Sequence, residues 1–134
     1  MNLKNALLTL TEVGMIAYWA FASLVAVSII QVNPELMYSD YSNPVIASWN
    51  WSFLPIDILF AVLGLIARFA PISPHNKTVL AVCSLSLMFC AGLMAISFWV
   101  IQSWFDPFWW GINLWLILLS TWVLLSRYLW QSDN

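Results

Sequence analysis

Glu12, Asp57, Arg68 and Asn113 are the residues with chemistry to offer, because each stands inside or at the margin of a long apolar run. A carboxylate in hydrocarbon is costly, so an intramembrane acid pairs with a partner or lines water, and it often marks an ion or ligand pathway. Helical neighbours lie three and four residues apart. That spacing puts Asp57, Ala61, Gly64 and Arg68 on one face, Asn113, Ile117, Ser120, Leu124 and Arg127 on a second, and Glu12, Trp19 and Ser23 on a third. Counted from the expected helix ends, Asp57 and Asn113 lie at one level, each about 9 Å deep at 1.5 Å per residue. Glu12 and Arg68 share the opposite level. The pattern predicts an outer polar node of Asp57 and Asn113 beneath Trp51, and an inner node of Glu12 and Arg68. Such nodes either fix bundle register, as an ion pair and a hydrogen bond, or form a pathway for a ligand or ion. Pro55, two residues before Asp57, frees nearby carbonyls that could hold a cation or water.

Other reactive constellations are missing from the sequence. No nucleophile–base set, paired cysteines or histidine cluster is visible, so the chain is expected not to be an enzyme and to hold no metal or cofactor. Cys83 and Cys90 are two helical turns apart, about 10.5 Å, which is beyond disulfide reach. They are expected to pack as small buried residues. His75 has no acidic, Cys or His neighbour and reads as a solvated turn residue.

The elements that carry these residues follow from composition. Of 134 residues, 63% are hydrophobic and 7% charged, against roughly 25% charged in soluble domains. A chain with so little polar surface requires the lipid bilayer as its solvent. Its formal net charge of −2 and few basic residues exclude nucleic-acid binding. Four apolar segments, about 6–30, 51–70, 78–101 and 107–130, each approach the ~20 residues that a spanning helix needs. Only helices satisfy their own backbone in lipid on such runs. Ala20-Phe21-Ala22 has a small-x-small look, but Glu12 interrupts the apolar run that a signal peptide would need. The fold expected is an all-α, four-transmembrane-helix bundle forming a single membrane domain. Lys4, Arg68, Lys77 and Arg127 all fall on one side, so the basic-side rule puts both termini in the cytoplasm (N-in/C-in). The longer extracytoplasmic loop between helices 1 and 2, residues 31–48, holds Pro34, Glu35, Tyr38, Asp40, Tyr41 and Pro44 and is large enough to form a cap. At Asp106-Pro107, Asp serves as N-cap and Pro as first helical residue.

Thr11-Glu12-Val13-Gly14, Tyr18-Trp19, Asp40-Tyr41-Ser42-Asn43-Pro44 and the run from Trp49 to Asp57 together resemble the YvaD-type family of small bacterial membrane proteins. The resemblance covers helices 1 and 2. It implies four helices, a bacterial cytoplasmic (inner) membrane and no assigned biochemical function. Where that family favours Asp at position 12, this chain keeps the acid as Glu12. Thr11-Glu12-Val13 also looks like the first helix of small multidrug resistance exporters. The long second connector and the second acid depart from that pattern.

The expected function is a non-enzymatic bundle that binds a small ligand or a membrane-protein partner, with homo-oligomer formation open. The alternative is a small proton- or cation-coupled transporter using the intramembrane carboxylates. The site residues in either case are Glu12, Asp57, Asn113, Arg68 and Trp51. The placement of the four basic residues is directly checkable. A reporter fused after Asn134 should be active only in the cytoplasm; activity on the far side would reverse the threading.

Overall fold

Three of the helices begin with the same two-residue device. Asn43, Ser73 and Asp106 each turn a side-chain oxygen onto a free backbone N–H of the following turn, and each precedes a proline at the first helical position. Proline fits there because its missing N–H would have had no intrahelical acceptor. Asp106 caps two amides, those of Phe108 and Trp109, at 3.0 and 3.1 Å. Asn2 caps the first helix through the amide of Asn5. The structure, a computed structural model, describes residues 2–33 and 40–129. Its elements are α1 (Leu3–Ala26), α2 (Pro44–Ser52), α3 (Leu54–Phe69), α4 (Pro74–Ile101) and α5 (Pro107–Leu124), closed by a π-helical turn over Leu125–Leu129.

Four stretches are long and apolar enough to cross a membrane: Leu3–Ala26, Pro44–Phe69, Pro74–Ile101 and Pro107–Arg127. The first stops short of residue 30, because Ser28 takes a left-handed conformation (φ 61°) and turns the chain. The second begins at Pro44 rather than at Trp51. Residues 44–50, expected to precede the second span, are therefore helical. Pro55 cannot donate to the Trp51 carbonyl one turn back, and the helix breaks at Phe53 before resuming as α3. The last segment ends in the π turn instead of continuing straight to residue 130. Of the expected cap, Pro34, Glu35 and Tyr38 lie outside the described residues.

The helices pack as a row. α3 lies between α1 and α4, and α4 lies between α3 and α5. Phe60, Met88 and Val123 are wholly buried at the centre, with Leu8, Leu85, Leu116 and Leu119 around them. A second cluster holds one end together. There Trp49 stacks on Phe98, with ring centroids 4.1 Å apart, and meets Trp99 edge-on at 5.3 Å. Aromatic pairs in these geometries add to the area they bury. This aromatic end lies opposite a basic end formed by Lys4, Arg68, Lys77 and Arg127.

The buried face of α4 is Ser84, Leu85, Met88, Ala91, Gly92, Ala95 and Trp99. Cys83 and Cys90 are exposed, which corrects the expectation that they pack inside. They share the outward face with Ser86 and Ser97. Ser97 satisfies its hydroxyl on the Leu93 carbonyl of its own helix at 2.7 Å, so it needs no neighbour.

Gly92 is where α4 and α5 come closest. A Cβ there would meet the Asn113 carbonyl oxygen at 2.6 Å and Ile117 Cγ1 at 2.9 Å, whereas one at Gly14 would meet nothing within 4 Å. Gly92→Ala should therefore destabilise the bundle by about 1–3 kcal/mol, as overpacking does. Gly14→Ala should be neutral or stabilise α1 by up to about 1 kcal/mol through helix propensity. Thermal unfolding of the two variants in detergent reads the difference, and equal midpoints would contradict the close α4–α5 approach.

Candidate functional site

Two polar sites lie along α3, three turns apart. Toward the basic end, Glu12 of α1 is fully buried and forms an ion pair with Arg68 Nη2. Arg68 Nε also donates to Thr9 Oγ1 at 3.2 Å, so the guanidinium ties α3 to two positions of α1. Gly64 makes room for the acid: a Cβ there would overlap Glu12 Oε1 and lie 2.8 Å from Ser84 Oγ. Ser84 in turn donates to the Phe60 carbonyl at 2.7 Å. A charge removed from water needs such a partner to be tolerated at all. The expected depth match between Glu12 and Arg68 is realised as a direct contact.

The outer node differs from expectation. Asp57 and Asn113 do not bond to each other, and each takes another partner. Trp19 Nε1 of α1 donates instead to Asp57 Oδ2 at 2.9 Å. Asn113 donates to the Trp109 carbonyl of its own helix at 2.8 Å. Trp51, half-buried in α2, lies over Trp19 with ring centroids 5.4 Å apart. Trp19 was not among the expected site residues. Its place on the face of Glu12 and Ser23 was the available signal, since Glu12→Trp19 on α1 and Gly64→Asp57 on α3 are equal steps in antiparallel helices.

Asp57 and Asn113 nevertheless face one cavity of about 440 Å³ between α1 and α5. Its walls are almost wholly apolar and aromatic, and include Met15, Tyr18, Trp19, Phe53, Trp109 and Trp115. Leu10 and Gly14 on α1, and Phe108 and Gly111 on α5, line it while remaining exposed, so the cavity opens on the flank of the bundle. Trp115 Nε1 bridges the gap to Thr11 Oγ1 at 2.9 Å. Two lining residues carry a buried polar atom with no hydrogen-bond partner, Asp57 Oδ1 and Trp109 Nε1. Glu12 lines neither this cavity nor the one at the basic end. His75 sits exposed in the first turn of α4. Among the described residues no three His, Cys, Asp or Glu side chains gather into a metal-binding group.

A family of unknown function (DUF5360) matches residues 4–133 of the chain. The uncharacterized protein YvaD of Bacillus subtilis (strain 168) is 37% identical over 110 residues, which is 81% of this chain and 78% of that protein. No solved structure matches the chain.

The ion pair makes a sharp test. Glu12→Gln or Arg68→Gln alone should each destabilise the bundle by about 3–5 kcal/mol, since each leaves a buried charge without its partner. The double variant should lose less than the sum of the two. Unfolding free energies of the four proteins in detergent complete the cycle, and strictly additive losses would mean that the two groups are not coupled.

Proposed function

The chain belongs to the DUF5360 family of unknown function, and from that premise we propose that it is a multi-pass membrane protein, both termini cytoplasmic, that binds a small amphiphile. The amphiphile reaches the cavity sideways, from the hydrocarbon of the bilayer, between α1 and α5. Its apolar body lies against the aromatic walls. A small head bearing an N–H or O–H donor meets Asp57 Oδ1, and an acceptor on the same head can take the Trp109 N–H. The reading is non-enzymatic, and one observation carries it: a buried carboxyl oxygen without a partner on the wall of a cavity open to the flank. Leaving such an atom unmatched costs about 1–3 kcal/mol, which a ligand donor would recover. Transport coupled to both acids has less support, because Glu12 is engaged by Arg68 and lines neither cavity.

Dodecylamine and dodecanol serve as donor-bearing probes and dodecane as the control without a head, each added to the protein in nanodiscs. The first two should raise the unfolding temperature and dodecane should not. Asp57→Leu should weaken the response about tenfold, the loss of one hydrogen bond of about 1.4 kcal/mol. Gly14→Trp or Gly111→Trp should fill the cavity and abolish the response. If dodecane protects as well as dodecylamine, Asp57 contributes nothing to binding and the proposal fails.

A further inference from the structure

We propose that the cavity at the basic end is a binding site for a phosphate group, held in the first instance as the headgroup of an anionic membrane lipid. This site is separate from the amphiphile cavity and does not depend on it. The hollow measures about 410 Å³ and lies between α1, α3, α4 and the closing π turn. Its polar lining comes from Asn5, Arg68, Lys77, Thr78, Ser84 and Arg127. Three cations from three different elements therefore converge on one space.

The charge around them does not balance. Glu12 is the one carboxylate at this end among the described residues, and it is buried behind Gly64 in its pair with Arg68. Among the described residues Arg127 donates to a neutral group, Asn5 Oδ1. Lys77 is half-buried, and its ammonium has no hydrogen-bond or ion-pair partner among the described residues. Lys4 adds a fourth cation nearby, held outside the cavity by Ser126 Oγ at 2.6 Å and by the Trp122 ring at 5.2 Å. Four cations thus face one neutralised acid. Like charges directed into a shared, partly buried space repel, and an anion placed between them reverses the sign of that interaction.

The donor set selects phosphate. A guanidinium presents a planar fork that matches two phosphate oxygens, while an ammonium acts as a compact point charge. Lys77 and Thr78 also belong to the first turns of α4, whose positive end favours an anion. Apolar walls continue from the polar floor through Leu8, Phe69 and Ala81. A diester headgroup could place its phosphate among the cations while its acyl chains follow that apolar wall. Basic pockets between membrane helices take anionic headgroups in this way.

The test uses the full chain in nanodiscs of phosphatidylcholine with increasing phosphatidylglycerol. Retained lipid is read by native mass spectrometry and stability by thermal unfolding. Phosphatidylglycerol should be retained in preference to phosphatidylcholine and should raise the unfolding temperature. Lys77→Gln and Arg127→Gln should each reduce retention about tenfold, and Lys77→Glu should abolish it. Lys4→Gln, at the same end but outside the cavity, should leave retention unchanged. Inorganic phosphate at millimolar concentration in pure phosphatidylcholine discs is the second arm. Protection there that Lys77→Gln removes supports a phosphate site served from solution as well. If neither lipid nor phosphate protects the native chain, or if Lys4→Gln costs as much as Lys77→Gln, the binding is only general attraction to a basic end and the proposal is overturned.

Discussion

A carboxylate with no access to water sets the register of this bundle. Glu12 is fully buried, so α1 can lie against α3 only where Arg68 reaches the acid and where Gly64 leaves space for it. Once those are fixed, the rest of the α1–α3 interface follows from equal steps. Seven residues along α1 from Glu12 stands Trp19; seven residues back along α3 from Gly64 stands Asp57, and the two meet in a hydrogen bond. Arg68 lies one turn beyond Gly64 in the other direction. Helical side chains lean toward the N-terminus of their helix, which carries the Arg68 guanidinium back to the level of Glu12. A one-turn slip would separate both polar pairs at once, and a buried charge without its partner is among the costliest faults a fold can carry.

The remaining helices are added by small residues rather than by charge. α4 meets α3 through Ser84 and α5 through Gly92, Ala91 and Ala95 lie on the same buried face, and Ser120 of α5 bonds its own helix. Close approach through small side chains is the usual route to packing where lipid removes the hydrophobic drive between helices. The row α1–α3–α4–α5 then leaves its first and last members without a continuous interface. They are joined by side chains at intervals, Thr11 to Trp115, Lys4 to Ser126 and Asn5 to Arg127. Both cavities are consequences of that arrangement, because each includes space that a direct α1–α5 contact would have filled.

Much of this was readable from residue types, and the misses have physical causes. The apolar runs marked four spans, and the acid–small–small–base stripe from Asp57 to Arg68 does face inward. Depth alone pairs Asp57 with Asn113, because counting from helix ends does not say which helices are neighbours, and the Trp19 N–H on α1 proves to be the donor. Cys83 and Cys90 face outward although free cysteines usually pack inside, because the small residues Ser84, Ala91, Gly92 and Ala95 take the buried face of α4 instead. A serine that bonds its own i−4 carbonyl, as Ser97 does, needs no helix contact and can face outward. The early start of the second span was legible in principle: Asn43-Pro44 repeats the signature of Asp106-Pro107, but the many polar residues around it suggested a loop.

The two ends of the bundle are left chemically opposite. Eleven residues of α3, about 16 Å at 1.5 Å per residue, separate an acid whose hydrogen-bond donor is the neutral indole of Trp19 from a cluster of cations whose one acid among the described residues is already taken. Neither end can correct the other across that distance, because the intervening core of Phe60, Ala61, Met88 and Leu85 carries no charged group. Each imbalance has to be met locally. At the aromatic end the unmatched atoms are an acceptor, Asp57 Oδ1, and a donor, Trp109 Nε1, beside an apolar, flank-opening space, which suits a small polar head on an apolar body. At the basic end the unmatched groups are cations beside a partly polar floor, which suits an anion.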